Sequence, residues 1–192
     1  AKGLGKFFKE TFVQNGGNIV SDEAYLAKDT DFKATLTKIK ASNPDVIFVP
    51  GYYQEVGMII KQAREIGITV PILGADGWDS AKLPEIAGAE ALNNTFFSNH
   101  YSPDDNSPEI KNFVEAYKAE YGQVPDAFAA LSYDATMMII EAIKRAGVED
   151  SVKVKDELAK TKDYQGVSGS ITLDEKHNAV KGVVIIEMKN GI

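Results

Sequence analysis

The sequence predicts an α/β fold in which parallel β-strands alternate with helices that flank the sheet. The first observation is a pair of short, strongly apolar segments, residues 45–49 and 70–73, which have the character of buried strands. The second is the spacing of apolar residues between them, over residues 55–66, which is typical of an amphipathic helix. A strand, a helix and a strand within about 30 residues form a βαβ unit with parallel strands and a right-handed crossover.

The elements before this unit follow from periodicity and from helix-ending signals. Apolar residues at helical spacing predict a first helix over residues 2–14, which the glycine pair at residues 16–17 ends. Residues 18–26 are predicted as a strand, and a cap at residues 29–31 as the start of a helix through Ser42. No initiator Met or leading strand precedes the first helix, so the sequence is expected to be a fragment of a longer chain.

The regular alternation of strands and helices is predicted to end near residues 98–108, where a domain boundary is expected. Before this boundary, residues 80–87 are predicted as a short helix and residues 94–99 as a strand. Beyond it, Ser107 is expected to cap one helix, and Pro125-Asp126 to open the longest one. The elements predicted there are helices ending near residues 121, 146 and 160, followed by strands over 168–173 and 182–189 around a polar turn.

Composition limits the classes of function. The 192 residues are 44% hydrophobic, which is enough for one fair-sized domain or two small ones. The formal net charge of −7, without a basic cluster, argues against nucleic acid and anionic membranes as partners. The absence of cysteine excludes disulfides and thiolate metal sites, and no apolar stretch is long enough to cross a bilayer.

The ends of the two strands in the βαβ unit carry the residues best suited to hold a ligand. The carboxyl ends of parallel strands lie on one edge of a sheet, where open α/β sheets bind ligands, so Tyr52 and Asp76 are expected to be neighbours. Asp76, between Gly74 and Gly77, has the chemistry to pair with a ligand ammonium group in a partly dry cleft. The alternative is that Asp76 only organises its own turn.

The aromatic residues at this edge have two interpretations each. Tyr52 or Tyr53 can wall a pocket and offer a hydroxyl, or can cover the end of the sheet, which is the interpretation favoured for Tyr53. Trp78, the only tryptophan, can contact a ligand or fill space between surface and core.

Other chemistry-bearing residues give weaker signals. Met137 and Met138 fit the apolar periodicity of their helix and are expected to be core residues. His100 and His177 lack neighbouring ligands at metal-binding spacing, so no metal and no cofactor is expected. Ser98, His100 and Asp104 lack a nucleophile elbow, and no enzymatic reaction is predicted from them.

A series of motifs spaced along the chain matches a known family. The motifs are, in order, Thr30-Asp31-Phe32, Leu36-Thr37-Lys38-Ile39-Lys40, Pro44-Asp45-Val46, Gly51-Tyr52-Tyr53, Gln62-Ala63-Arg64 with Gly67, Gly74-Ala75-Asp76-Gly77, and Ala127-Phe128-Ala129-Ala130 with Tyr133-Asp134. In these motifs the chain resembles the branched-chain amino acid (Leu/Ile/Val) binding proteins of ABC importers, and most of all their Gram-positive lipoprotein members. The resemblance covers essentially the whole chain.

The resemblance implies a type I periplasmic-binding fold, with two α/β lobes joined by a hinge. It assigns residues 1–99 to most of lobe two without its first strand, residues 100–179 to the C-terminal part of lobe one, and residues 180–192 to a return strand. The N-terminal lobe, which supplies the partners of the ligand carboxylate in the family, is absent from this sequence. The expected partners are therefore an aliphatic amino acid, the membrane subunits of an ABC permease, and the missing lobe or a complementary fragment.

The resemblance also implies the site residues and the location. It places Asp76 on the α-ammonium group of the ligand, Tyr52 beside the ligand, Trp78 at the side-chain pocket and Phe128 on the hinge side. The function expected is capture of a branched-chain or other aliphatic amino acid by hinge closure and delivery to a permease, without catalysis. The location implied is extracytoplasmic, in the periplasm or as a cell-surface lipoprotein behind a signal sequence. The alternative is a ligand-sensing domain of a regulator or receptor with the same fold.

Overall fold

A computed structural model describes residues 2–147 and 150–191, which form two β-sheets with flanking helices. The helices are α1 (Lys2–Gln14), α2 (Lys33–Ala41), α3 (Tyr53–Glu65), α4 (Lys82–Ala87), α5 (Pro108–Tyr121), α6 (Ala127–Ala146) and α7 (Ser151–Ala159). The strands are β1 (Ile47–Phe48), β2 (Ile72–Gly74), β3 (Thr95–Asn99), β4 (Tyr164–Gly166), β5 (Gly169–Leu173), β6 (Ala179–Val180) and β7 (Val184–Met188). The α/β class predicted from the sequence is confirmed.

The chain divides into two compact units. Unit 1 comprises Ala1–Ser98 and Ile185–Ile192, and unit 2 comprises Asn99–Val184. Each unit has its own apolar cluster, built from the inward faces of its helices and strands. The chain passes between the units twice, because the last strand, β7, belongs to the sheet of unit 1.

The sheet of unit 1 has the order β1-β2-β3-β7. β1 pairs with β2 in parallel, with Ile47 opposite Ile72, and β2 pairs in parallel with β3. Helix α3 connects β1 to β2 and buries its apolar face, as the helical spacing predicts. The predicted βαβ unit is therefore confirmed, and the carboxyl ends of β1 and β2 lie at one edge of the sheet.

Arg64 fastens the end of α3 to the entrances of β2 and β3, at the opposite edge. Its Nε donates to the carbonyl oxygen of Ala91 at 3.2 Å. Its Nη1 and Nη2 donate to four more backbone carbonyl oxygens, those of Ile68 (2.8 Å), Val70 (3.0 Å), Asn93 (3.0 Å) and Asn94 (3.4 Å). Burial lowers the pKa of the guanidinium, so the charge is held there by these carbonyl dipoles rather than by its solvation.

The strand predicted over residues 18–26 is wrong, because residues 17–26 lie in neither helix nor strand. Exposure does alternate from Gly17 to Asp22, as it would on a strand. A strand, however, is held by a ladder of hydrogen bonds to a neighbour, and β1 is the terminal strand of its sheet within the described residues. The alternating pattern therefore survives without the pairing that would make a strand.

The cap predicted at residues 29–31 is confirmed in part. The N-cap position of α2 is Phe32, which makes no side-chain capping hydrogen bond, but the Asp31 carboxylate accepts from the amide of Lys33, the first residue of α2, at 3.1 Å. Asp29 instead accepts from the amide of Leu26 at 2.8 Å, which closes the preceding turn. Ser107 makes no side-chain cap at α5. Asp126, in contrast, accepts from the amide of Ala129 at 2.9 Å and begins α6 as predicted.

Unit 2 contains the antiparallel sheet β4-β5-β6 and a buried carboxylate that holds one of its turns. Asp134 of α6 is 1% exposed and accepts from the amides of Val167 and Ser168, each at 2.8 Å. The Ser168 hydroxyl donates to the same carboxylate at 2.6 Å, and the ammonium of Lys181 donates to that hydroxyl. Strands β4 and β6 were not predicted, because segments of two or three residues carry too little periodicity.

Candidate functional site

The backbones that follow β1 and β2 touch each other at the carboxyl edge of the unit 1 sheet. A methyl group on Gly77 would lie 2.5 Å from the carbonyl oxygen of Gly51 and 3.1 Å from Cδ1 of Tyr52. Such separations are shorter than normal contacts, so the approach of the two turns requires a residue without a side chain at position 77. The segment with Tyr52 and the segment with Asp76 are thus brought together, as the parallel βαβ topology predicts.

Trp78 stabilises the contact between these two turns. Its indole is 0% exposed, and its Nε1 donates to the carbonyl oxygen of Val49 at 3.1 Å. The ring packs on Phe97 with centroids 5.9 Å apart, and it occupies the space where a side chain on Gly74 would lie. Trp78 therefore ties the end of β2 to the end of β1. Direct contact between Trp78 and a ligand stays a prediction, and full burial favours the space-filling interpretation.

Asp76 begins a short 3₁₀ helix, Asp76–Trp78, that places its side chain at this edge. Two backbone hydrogen bonds support the turn: the amide of Trp78 donates to the carbonyl oxygen of Ala75 at 3.0 Å, and that of Asp79 donates to the carbonyl oxygen of Asp76 at 3.1 Å. Asp76 is half-buried, so its carboxylate combines partial shielding from water with access from outside. This combination suits a group that pairs with a cationic ligand.

The two tyrosines after β1 lie in different surroundings. Tyr52 is 61% exposed and adopts an extended conformation, with φ −98° and ψ 156°, as the residue before α3. Tyr53 packs against the apolar cluster of unit 1, which agrees with the covering role favoured for it. An exposed aromatic ring next to a half-buried carboxylate offers an apolar wall and an anionic group at one place.

Three residues near this edge were not singled out from the sequence. The hydroxyl of Tyr25 lies against Gly51, in the space that a side chain there would fill. Glu55, in the first turn of α3, accepts from the amide of Lys28 at 2.8 Å. Burial, and then the charge of Glu55, raises the pKa of the Tyr25 phenol above its ordinary value. No sequence signal marks them, since their proximity depends on how residues 25–32 fold over α3.

Phe128 lies in unit 2, at the second position of α6, and is 41% exposed. It begins an unusual surface: the exposed residues of α6 from Phe128 to Ile140 are all uncharged, namely Phe128, Ser132, Tyr133, Ala135, Thr136, Ile139 and Ile140. The solvent-facing side of a helix is ordinarily rich in charge. This surface, termed the α6 face below, therefore has the composition of a buried one.

Within the described parts of the chain, no group of three or more His, Asp or Glu side chains is arranged to hold a metal ion. None of the described helices has the length and apolar character needed to cross a membrane. A shallow depression on unit 1 shares no residue with the strand-end site, which is the sheet edge that carries Tyr52 and Asp76. The depression is lined by Thr30, Asp31, Lys33, Met58, Lys61, Gln62, Glu65 and Ile86. Its mixture of both charges is that of an ordinary solvated surface.

Comparison with known sequences shows one family over nearly the whole chain. The profile of the family described as "Periplasmic binding protein" matches residues 2–191. The Leu/Ile/Val-binding protein homolog 3 of Brucella melitensis is 31% identical over 176 residues, covering 91% of this chain and 47% of the relative. The leucine-, isoleucine-, valine-, threonine- and alanine-binding protein of Pseudomonas aeruginosa is 27% identical over 177 residues, covering 91% and 46%. The chain thus spans about half the length of the curated relatives it matches.

Solved structures extend the similarity to the fold. A leucine-binding protein of Thermotoga maritima matches with a TM-score of 0.92 and 42% identity, over 99% of this chain and 54% of that one. A branched-chain amino acid transporter substrate-binding protein of Streptococcus pneumoniae, in complex with isoleucine, matches with a TM-score of 0.90 and 44% identity, over 100% and 54%. This chain has the fold of roughly half of each of these proteins.

Proposed function

The chain belongs to the periplasmic binding protein family, and from this premise we propose that it is part of the substrate-binding component of an ABC importer. Its expected ligand is a branched-chain or other aliphatic amino acid. The observation that carries the proposal is the contact between the Gly51-Tyr52 turn and the Asp76-Gly77 turn. This contact gathers a half-buried carboxylate and an exposed aromatic ring at one sheet edge. The names of the relatives support the choice of ligand.

The proposed chemistry divides the ligand between two groups of unit 1. The Asp76 carboxylate pairs with the α-ammonium, where a charge-assisted hydrogen bond in a partly shielded site is strong. The ring of Tyr52 covers apolar parts of the ligand. Trp78 acts by keeping the Asp76 turn against the end of β1, and Phe128 remains a predicted contact from unit 2.

We propose further that capture requires the half of the protein that the relatives carry in addition. The α6 face supports this, because seven uncharged residues exposed on one helix side would lose contact with water if another protein segment packed there. Closure around the ligand, an extracytoplasmic location and delivery to a permease are parts of the same proposal. The term "full-length protein" below means this chain together with that additional half.

The test is the substitution Asp76→Asn in the full-length protein, with L-leucine, L-isoleucine and L-valine titrated by calorimetry. We expect the affinity to fall by about 2 kcal/mol or more, because the ammonium loses its charged partner in a shielded site. Asp45→Asn is the matched control, since Asp45 is exposed at the amino end of β1, at the other edge of the sheet. Equal affinities for Asp76→Asn and the unmodified protein would refute the assignment, as would the absence of amino acid binding.

A further inference from the structure

The side chain of Tyr25 lies beside the strand-end site, next to Gly51. Its hydroxyl fills the space next to the α-carbon of Gly51, so that a methyl group placed there would overlap the phenol oxygen and approach Cγ2 of Val56 to 3.2 Å. The carbonyl oxygen of Gly51 lies beside Gly77, where a methyl group would be 2.5 Å from it. Gly51 therefore contacts both Tyr25 and the turn that carries Asp76.

The segment that carries Tyr25 is itself fixed to α3. The ring of Tyr25 packs edge-to-face on the buried Phe32, with centroids 5.6 Å apart at 87°. The amide of Phe32 donates to the Gln62 side chain at 2.7 Å, and that side chain donates in turn to the carbonyl oxygen of Thr30 at 2.8 Å. Glu55 holds the middle of the segment through the amide of Lys28. The segment is thus anchored at two places on the helix that begins directly after Tyr52.

These contacts connect Tyr25, which lies outside the proposed site, to Tyr52 and Asp76, which lie inside it. Tyr25 limits where Gly51 lies, Gly51 limits Tyr52 through the chain and Gly77 through van der Waals contact, and Gly77 is adjacent to Asp76. We infer that Tyr25 is a positioning residue for ligand binding, which fixes the separation between Tyr52 and Asp76 through Gly51. The inference rests on the proposed function and adds a residue that acts without touching the ligand.

The test is a double-mutant cycle with L-leucine as the probe, measured by calorimetry in the full-length protein. Gly51→Ala should weaken binding by about tenfold or more, because the added methyl displaces the turn. Tyr25→Phe removes the oxygen that meets this methyl and should weaken binding about threefold or less on its own. In the double variant the affinity should recover by about fivefold over Gly51→Ala, with the recovery limited by the contact to Val56.

Gly5→Ala is the matched control, since a methyl there would lie 3.8 Å from Cγ of Pro50, an ordinary contact next to the same turn. Its affinity for leucine should be unchanged. Near-ultraviolet circular dichroism and the Trp78 fluorescence of each variant establish that unit 1 is folded at the temperature of the titration. If Gly51→Ala does not fold, Tyr25→Leu removes the phenol that limits the position of Gly51 without adding any atom that overlaps the turn. It should bind leucine about tenfold more weakly with unchanged Trp78 fluorescence.

Strictly additive effects in the cycle, or unchanged affinity in Gly51→Ala or in Tyr25→Leu, would overturn the positioning role. This failure is distinguishable from failure of the proposed function. If Asp76→Asn weakens leucine binding but the cycle is additive, only the role of Tyr25 is lost. If Asp76→Asn has no effect, the assignment of the site itself fails.

Discussion

Replacing Arg64 should destabilise unit 1 although the residue is far from the proposed ligand edge. The guanidinium serves five backbone carbonyl oxygens, and the fifth, that of Asn94 at 3.4 Å, is too long to contribute much. The other four bonds are half-buried. In Arg64→Met these carbonyl groups lose their donor and only partly regain water, at about 1 kcal/mol each. We therefore expect a loss of about 3–4 kcal/mol in the free energy of unfolding.

The free energy of unfolding of Arg64→Lys should lie between those of the unmodified protein and Arg64→Met. An ammonium group has three donors but lacks the planar fork that reaches both strand entrances. The assay is urea denaturation followed by the fluorescence of Trp78, which is the only tryptophan and is buried in unit 1. Lys61→Met, at an exposed position of the same helix, is the control and should change the stability by less than about 0.5 kcal/mol. A stability for Arg64→Met within that margin would show that the carbonyl groups need no common donor.

Two further predictions concern the buried carboxylate of Asp134 and the half-buried phenol of Tyr25. Asp134→Asn should lower the stability of unit 2 by about 2 kcal/mol, since an amide accepts poorly from two backbone N–H groups and a hydroxyl; far-ultraviolet circular dichroism in urea measures this, and unchanged stability would contradict it. Burial and the charge of Glu55 raise the pKa of Tyr25 in the folded protein above its ordinary value of 10.0. As the pH rises past 10.0, Tyr25 therefore loses its proton in the unfolded chain before it does so in the folded protein. Stability should thus fall as the pH rises through that region, and Tyr25→Phe should reduce the fall. Identical pH dependence for both proteins would contradict a raised pKa of Tyr25 in the fold.

The structure separates the residues of the proposed ligand edge by role. Tyr52 is exposed and Asp76 is half-buried there, whereas Trp78, Gly74 and Gly77 allow the two turns to meet. An aromatic residue at the proposed site can therefore support the site without touching a ligand. Substitution of Trp78 is accordingly expected to act on both stability and affinity, which makes it a poor probe of ligand contact alone.

The sequence by itself determined the α/β class, the parallel βαβ unit, the long helices and the edge at which Tyr52 and Asp76 meet. These features depend on local periodicity and on the handedness of the crossover, both of which neighbouring residues specify. Helix α6 begins after Asp126 because a capping carboxylate acts within three residues, so its start was predictable.

The tertiary structure alone decided the features that depend on partners distant in the chain. The exposure of residues 17–22 alternates as on a strand, yet residues 17–26 form none, because a strand requires a hydrogen-bonded neighbour. Three such features are the hydrogen bond from the buried Trp78, the five carbonyl groups bound by Arg64, and the Tyr25 hydroxyl beside Gly51. Their partners lie in segments some 4 to 30 residues apart in the chain. Local patterns carry no distance between such segments, and only the packing of the whole unit brings these atoms into contact.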